Sequence, residues 1–355
     1  MNVANTLTRR KVGPGITDGW TVHGLDDPGE QQHVAPAAAL IAKTFHDKGL
    51  YMHTIKKTAV AVISTLGLMF GAHAMSATVK QGPELRPTGK GWGMADLHAA
   101  RPSGGGKTSN GISYHGGPII LNGTHVYYIW YGNWSGNTAT TILANAASGL
   151  SGSPYFNINT TYYNGSNVHV TNAVSLLNTT TDNYSLGTAL SDSNVQSVVA
   201  NAISSGRLPS DSNAVYFVLT SADVNETSGF CTQYCGWHNH ASIGGVDIKY
   251  AFVGNPDRCP SACEAQSSYS PNNNPGADGM VSIFAHELEE ATTDPDLNAW
   301  YDSRGQENAD KCAWTFGTEY TTSNGSLANM SMGGYNYLIQ QNWVNASGGY
   351  CALKY

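Results

Sequence analysis

Charge is scarce in this chain, and basic charge is scarcer still. Asp, Glu, Lys and Arg make up 12% of the 355 residues, with 25 acidic side chains against 18 basic ones. After Ala74 the balance is 20 to 11, a net charge of −9 with the histidines neutral. A surface so poor in Lys and Arg has little to offer phosphates, which argues against nucleic acid as a partner. Long apolar runs are also missing, since the stretch from Thr58 to Phe70 falls short of the ~20 residues that span a bilayer. Ser221 and Asp223 follow a strand-like segment, but no G-x-S-x-G elbow surrounds them, so a serine hydrolase is unsupported. No glycine-rich stretch completes the phosphate-cradle pattern with Lys-Ser or Lys-Thr, and no internal repeat is present. Cysteine does not occur before Cys231.

The apolar run has a purpose of its own. In "MHTIKKTAVAVISTLGLMFGAHAMSA", Lys56 and Lys57 precede it and the small-x-small sequence Ala72–Ala74 follows. These are the parts of a secretory signal peptide, expected over residues 52–74, rather than of a membrane anchor. A signal that starts at Met52 implies that residues 1–51 are a poorly ordered extension, with Met52 as a candidate true start. Residues 75–113 are polar and glycine-rich, with "RPSGGGKTSNG" at their centre, and read as a flexible linker. One domain of about 240 residues then runs from Tyr114 to Tyr355, long enough for a sizeable core.

Six cysteines behind a signal peptide imply disulfides, because the exported compartment is oxidising. The C-x-x-x-C spacing occurs twice, and the expected bridges are the two local pairs, Cys231–Cys235 and Cys259–Cys263, plus Cys312–Cys351. Aromatic and β-branched runs predict buried strands at His125–Trp134, Ala214–Val224, Val246–Asn255 and Tyr335–Val344. Helical spacing marks Thr140–Leu150 and Asp192–Gly206. Helices and strands interleave, so the fold class is α/β or α+β, a single mixed-sheet domain with a disulfide-braced C-terminal half.

Chemistry concentrates in "MVSIFAHELEEATTDPDLNAW", residues 280–300. Asp278 and Gly279 are placed to cap this helix and Pro295 to end it. At about 100° per residue, Met280, Ile283, Phe284, Leu288 and Ala291 form an apolar face, with His286 and Glu290 together at its edge. Glu287 falls inside the apolar arc and Glu289 is expected to face water. A buried carboxylate needs a partner, and a cation supplies one. The pattern is H-E-x-x-E, one residue from the H-E-x-x-H of zinc peptidases. In that signature the first and fifth positions bind zinc and the second polarises water. The geometry allows His286 and Glu290 as metal ligands and Glu287 as the catalytic carboxylate. The third ligand is sought in the acidic loop "YDSRGQENADKC": Glu307, 17 residues after Glu290, comes first, with Asp294 and Asp310 as alternatives. The histidines of "CGWHNH" (Cys235–His240) and His115 read as structural.

"YHGGPI", "YIWYGNW", "VYFVLTSADV", "FCTQYCGWH", "YAFVGN", "CPSAC", "DGMVSIFAHELEEATTDPDLNAWYD" and "ENADKC" follow one another in an order that resembles the EXORDIUM/phosphate-induced protein 1 family. The resemblance spans Tyr114 to Tyr355 and takes in all six cysteines. It implies secretion, structural cysteines and an extracellular or cell-wall setting linked to growth. The family's helix is similar to a zincin helix with glutamate fifth, which puts His286 and Glu290 on a metal, Glu287 on the water and Glu307 in the downstream E-x-A-D-x-C. Two functions are thereby expected in competition. One is a secreted zinc-dependent hydrolase of metallopeptidase type acting on an extracellular peptide. The other is a non-catalytic protein that binds a cell-wall component or surface partner.

Overall fold

A computed structural model describes residues 85–90 and 111–355. The extension at 1–51, the signal at 52–74 and lead-in residues 75–84 and 91–110 lie outside the described residues.

"THVYYIWY" forms β2 (Thr124–Tyr131), in which every residue except His125 is buried. Such a continuous apolar run belongs in the middle of a sheet that is covered on both faces. It has parallel partners on each side, β3 (Val174–Asp182) and β4 (Ala214–Thr220). β6 (Val246–Val253) pairs parallel to β4, and β5 (Gly236–Ile243) runs antiparallel to β6 at the sheet edge, giving the order β3-β2-β4-β6-β5. Between these strands lie helices α1 (Ala139–Leu150) and α2 (Asp192–Ser204). The second is closed by a capping box, in which the Ser191 side chain accepts from Asn194 N–H and the Asn194 side chain returns the bond. The mixed α/β class read from the sequence is therefore present.

The chemical segment becomes α3 (Pro275–Thr293). It starts a turn earlier than the Asp278–Gly279 cap would place it. Asn274 is the cap, accepting from Ala277 N–H, and Pro275 takes the first helical position, where no backbone donor is needed. α3 packs on β4, β5, β6 and α1. Phe284 meets Tyr128 and Phe217 edge-on at ring separations of 5.5 and 4.8 Å. The other side of α3 is covered as well, and every helix residue except Pro275 and Gly279 is buried. Glu289 therefore does not face water. The chain returning through 308–344 lies over it, and Asn342 Nδ2 donates to Glu289 Oε2 at 2.6 Å.

The late strand expected over Tyr335–Val344 is two short ones, β8 (Tyr335–Tyr337) and β9 (Asn342–Val344). The residues between them turn onto α3, where Gln340 N–H donates to Ser282 Oγ. Ahead of the domain, Ile112 is buried and Ser113–Tyr114 (β1) pair with Trp300–Tyr301 (β7).

The cysteine pairing differs from the expected one. Bridges join Cys231 to Cys259 and Cys235 to Cys263, while Cys312–Cys351 is as read from the sequence. The reason is the β5–β6 hairpin. Its register sets Gly236 opposite Val253, so the residues before β5 run beside those after β6 and the two C-x-x-x-C segments face each other. Both bridges close the same hairpin, whereas Cys312–Cys351 alone closes a 39-residue separation. Opening Cys312–Cys351 by a Cys→Ser double substitution is expected to cost about 4 kcal/mol from loop entropy. Opening Cys231–Cys259 alone should cost much less, because Cys235–Cys263 still holds nearly the same loop. Denaturant midpoints of the two double mutants check the order.

Candidate metal centre

The site forms where three stretches of chain meet: the middle of α3, the edge strand β5 and the acidic loop that precedes Cys312. Helical spacing puts His286 and Glu290 one turn apart, with His286 Nε2 3.0 Å from Glu290 Oε1. The loop adds Asp310, whose Oδ1 is 3.5 Å from His286 Nε2 and whose backbone N–H donates to Glu290 Oε1 at 3.0 Å. From β5 comes His238. Its Nε2 lies 3.2 Å from Glu307 Oε1 and 3.8 Å from Glu290 Oε2. Two groups of ligand atoms therefore converge within 4.8 Å, His238–Glu290–Glu307 and His286–Glu290–Asp310, and Glu290 belongs to both.

Burial is close to complete. His238, His286, Glu287 and Glu290 are 0% exposed and Glu307 is 1% exposed. Neither carboxylate oxygen of Glu287 has a hydrogen-bond partner. Gly236 lets the helix come this close to β5, since a Cβ there would lie 2.5 Å from Ile283 Cγ2 and 2.9 Å from Glu287 Oε1. Burial drives the Glu287 pKa well above the carboxylate range, and the charges of Glu290 and Asp310 push the same way against His286. Glu307 is raised likewise, by burial and then by Glu290. Glu290 itself is pushed up to about 7 by burial and by Asp310. For His238, burial and the neighbouring His286 lower the pKa to about 3, so the ring is neutral. For His286, burial is outweighed by Glu290 and Asp310, and the pKa rises.

Two imidazoles among carboxylate oxygens suit zinc, manganese or iron, and the unpartnered Glu287 and Glu290 Oε2 atoms are what a cation would satisfy. Gln340 Nε2 donates to Ala309 O at 3.0 Å and lies 2.9 Å from His286 Nδ1. Ligation at Nε2 would put the ring proton on Nδ1, where the Gln340 amide oxygen could accept it at the expense of the Ala309 bond. That oxygen has no other hydrogen-bond partner.

Of the residues named from the sequence, His286 and Glu290 converge with Asp310, the alternative third ligand, whereas Glu307, the first choice, converges with Glu290 and His238 instead; Glu287 lies beside them. Asp294 is spent elsewhere, its Oδ1 accepting from Asn298 N–H at 2.6 Å and from Ala299 N–H. His238 was missed as a ligand. Its signal was only the alternation of His238 and His240 along a strand. His240 lies with Asp247 and Asp296 in a separate, partly exposed group, where Lys249 Nζ is 2.7 Å from Asp247 and already supplies a positive charge. His115 stacks on Tyr301 at 3.6 Å, and Ser221 Oγ donates to Asp223 at 2.6 Å.

Leu85–Lys90 runs over the outside of this region. His238 N–H donates to Gly89 O at 3.0 Å and Leu85 N–H to Ser303 O at 3.2 Å. Gly89 is at φ +67°, and a Cβ there would meet His238 O at 2.0 Å, so only glycine allows the approach. Lys90 anchors the segment through Asp192 at 2.6 Å and lies over the Trp237 ring.

Residues 112–342 match the model of the "Phosphate-induced protein 1 conserved region". The chain is 33% identical to Protein EXORDIUM-like 3 of Arabidopsis thaliana over a 273-residue alignment that covers 65% of this chain and 80% of that one. It is 28% identical to Protein EXORDIUM of the same plant over 232 residues, covering 56% and 70% of the two chains. Protein PHOSPHATE-INDUCED 1 of Nicotiana tabacum shares 28% over 222 residues, or 54% and 67%. No solved structure matches. With the conserved region filled from Ile112 to Asn342 and all six cysteines bridged, the chain belongs to the phosphate-induced protein 1 family, the family of the EXORDIUM proteins.

Proposed function

We propose that this protein is an exported, metal-dependent hydrolase of metallopeptidase type, in which a zinc-class cation is held by His286, Glu290 and Asp310, with Glu307 on the other side of Glu290, and Glu287 is the general base. His238 is added to the ligand set, and Asp310 takes the place beside His286. One observation carries the reading. Glu287 is a fully buried carboxylate with no hydrogen bond, one residue from a ligand histidine. A site that only held an ion would have no use for it. When bound, zinc supplies Lewis acidity and lowers the pKa of a water toward neutrality. Glu287, with both oxygens uncommitted, is the residue that would accept a proton from a water activated there. His286 and Glu290 are fixed by helix α3, and His238 by the β5 ladder. Glu307 and Asp310 are fixed by the Cys312 bridge a few residues on. Leu85–Lys90 lies along the outer edge of β5, where Gly89 O accepts from His238 N–H, and this example of peptide backbone on that edge favours a peptide over other extracellular substrates. The three disulfides agree with an oxidising, extracellular location. Among the described residues no helix is long and apolar enough to cross a membrane.

The depth of the site favours a second reading. Ligands at 0–1% exposure also suit an ion with a structural task, in a protein that binds a cell-wall component. A groove of about 870 Å³ lined by Tyr155, Met332, Tyr350 and Leu353 would serve such binding. Metal analysis of the purified full-length protein, with hydrolysis of a casein peptide pool, separates the two. The hydrolase reading expects stoichiometric metal and cleavage, both lost in Glu290→Ala. Metal without cleavage favours the binder, and a folded wild type that never takes up metal overturns both.

A further inference from the structure

We propose that the buried cluster is a two-cation centre, with Glu290 bridging one ion held by His238 and Glu307 and a second held by His286 and Asp310. This deepens the metal reading above and depends on it.

Three observations lead there. First, Glu290 presents different oxygens to the two sides, Oε1 toward His286 at 3.0 Å and Oε2 toward His238 at 3.8 Å. Each side then adds one carboxylate of its own: Glu307, 3.2 Å from His238, and Asp310, 3.5 Å from His286. The two halves are chemically equivalent, each an imidazole, a private carboxylate and half of a shared one. Paired ions about 3.5–4 Å apart take this kind of arrangement in hydrolytic sites.

Second, charge can be counted. Glu287, Glu290 and Glu307 are buried, and the Asp310 side chain is 10% exposed. Ionised, these four carboxylates carry −4, and the two histidines are neutral as ligands. One divalent cation leaves an excess of two negative charges in the interior, whereas two cations leave none. Isolated charge in such surroundings is costly, so any of these carboxylates left without a cation would have to take up a proton. No arginine or lysine forms an ion pair with these four carboxylates among the described residues.

Third, atoms are left over on both sides. Glu290 Oε2, Asp310 Oδ1 and both Glu287 oxygens lack hydrogen-bond partners. A single ion among His286, Glu290 and Asp310 would leave the His238–Glu307 pair as an unexplained neutral imidazole against a buried acid.

The test uses the intact 355-residue protein, stripped with a chelator and reloaded with Mn²⁺. Metal is counted by plasma mass spectrometry and electron paramagnetic resonance is recorded at low temperature. The expected result is two Mn²⁺ per chain with an exchange-coupled spectrum. His238→Gln and Asp310→Asn should each retain one ion and show an isolated six-line signal. Near-UV circular dichroism identifies any variant that has lost its fold, and the wild-type count stands without the variants. One ion per wild-type chain overturns the pair while leaving a single-metal reading intact, and no ion overturns both. Two uncoupled ions overturn the Glu290 bridge. His240→Ala is expected to keep both ions, and loss of one there would assign the second ion to the surface group and overturn the proposal.

Discussion

Glu287→Gln will leave the protein folded and metal-loaded while cutting hydrolysis by about 10²–10⁴-fold, the range for removing a positioned general base. The change keeps the side chain's size and removes only its ability to accept a proton as a carboxylate. No hydrogen bond is broken, since Glu287 makes none, and its tight place against Gly236 is still filled. Glu287 also belongs to neither convergent group of ligand atoms, so metal content should stay at the wild-type value. Parallel metal and rate measurements check this. Unchanged turnover would remove Glu287 from the chemistry. Loss of metal together with activity would make it a ligand instead.

Chelation will have the largest effect on stability. A ligand that binds only the folded state stabilises it by RT ln(1 + [L]/Kd), about 4 kcal/mol at a thousandfold excess over Kd. For a domain of this size that corresponds to a fall in Tm of about 8–16 °C on stripping. The size of the fall will depend on pH. In the metal-free protein the Glu290 carboxyl titrates at about 7, and Glu287 and Glu307 titrate higher than ordinary carboxylates. A carboxyl whose folded-state pKa lies above its unfolded value favours folding while protonated and loses that contribution as pH rises through the folded pKa. The stripped protein is therefore expected to weaken from pH 6 to 8. The loaded protein, whose carboxylates are ionised against cations, should not. Calorimetry of both forms across that range measures the widening gap, and equal melting temperatures at every pH would exclude a bound ion.

The helix and strands that build the site could be read from the sequence because their signals are local. The 3.6-residue turn of a helix puts His286 and Glu290 on one side whatever the rest of the chain does, and "VYYIWY" is buried in any sheet. What could not be read depends on chain segments meeting from a distance. Glu289 looks solvent-facing by periodicity, yet Asn342, 53 positions away, covers it. His238 looks like an isolated strand histidine until β5 is laid beside the loop carrying Glu307, 69 positions later. The crossed bridges fail for the same reason. A pair of cysteines four apart suggests a local loop, and only the hairpin register shows that each faces a cysteine 28 residues on. Gln340 gives no signal at all, since an amide next to His286 is recognisable only in space.

Leu85–Lys90 occupies the outer border of β5 right at His238, and it is covalently tied to the domain it covers. A tethered segment competes at an effective concentration set by its connection and not by its bulk concentration. Any separate peptide arriving at that border must outcompete this resident segment, so a dilute peptide would meet a weakened apparent affinity. A single cut between this segment and Ile112 would turn an intramolecular rival into a dilute one and raise occupancy of the border without altering one atom of the cluster.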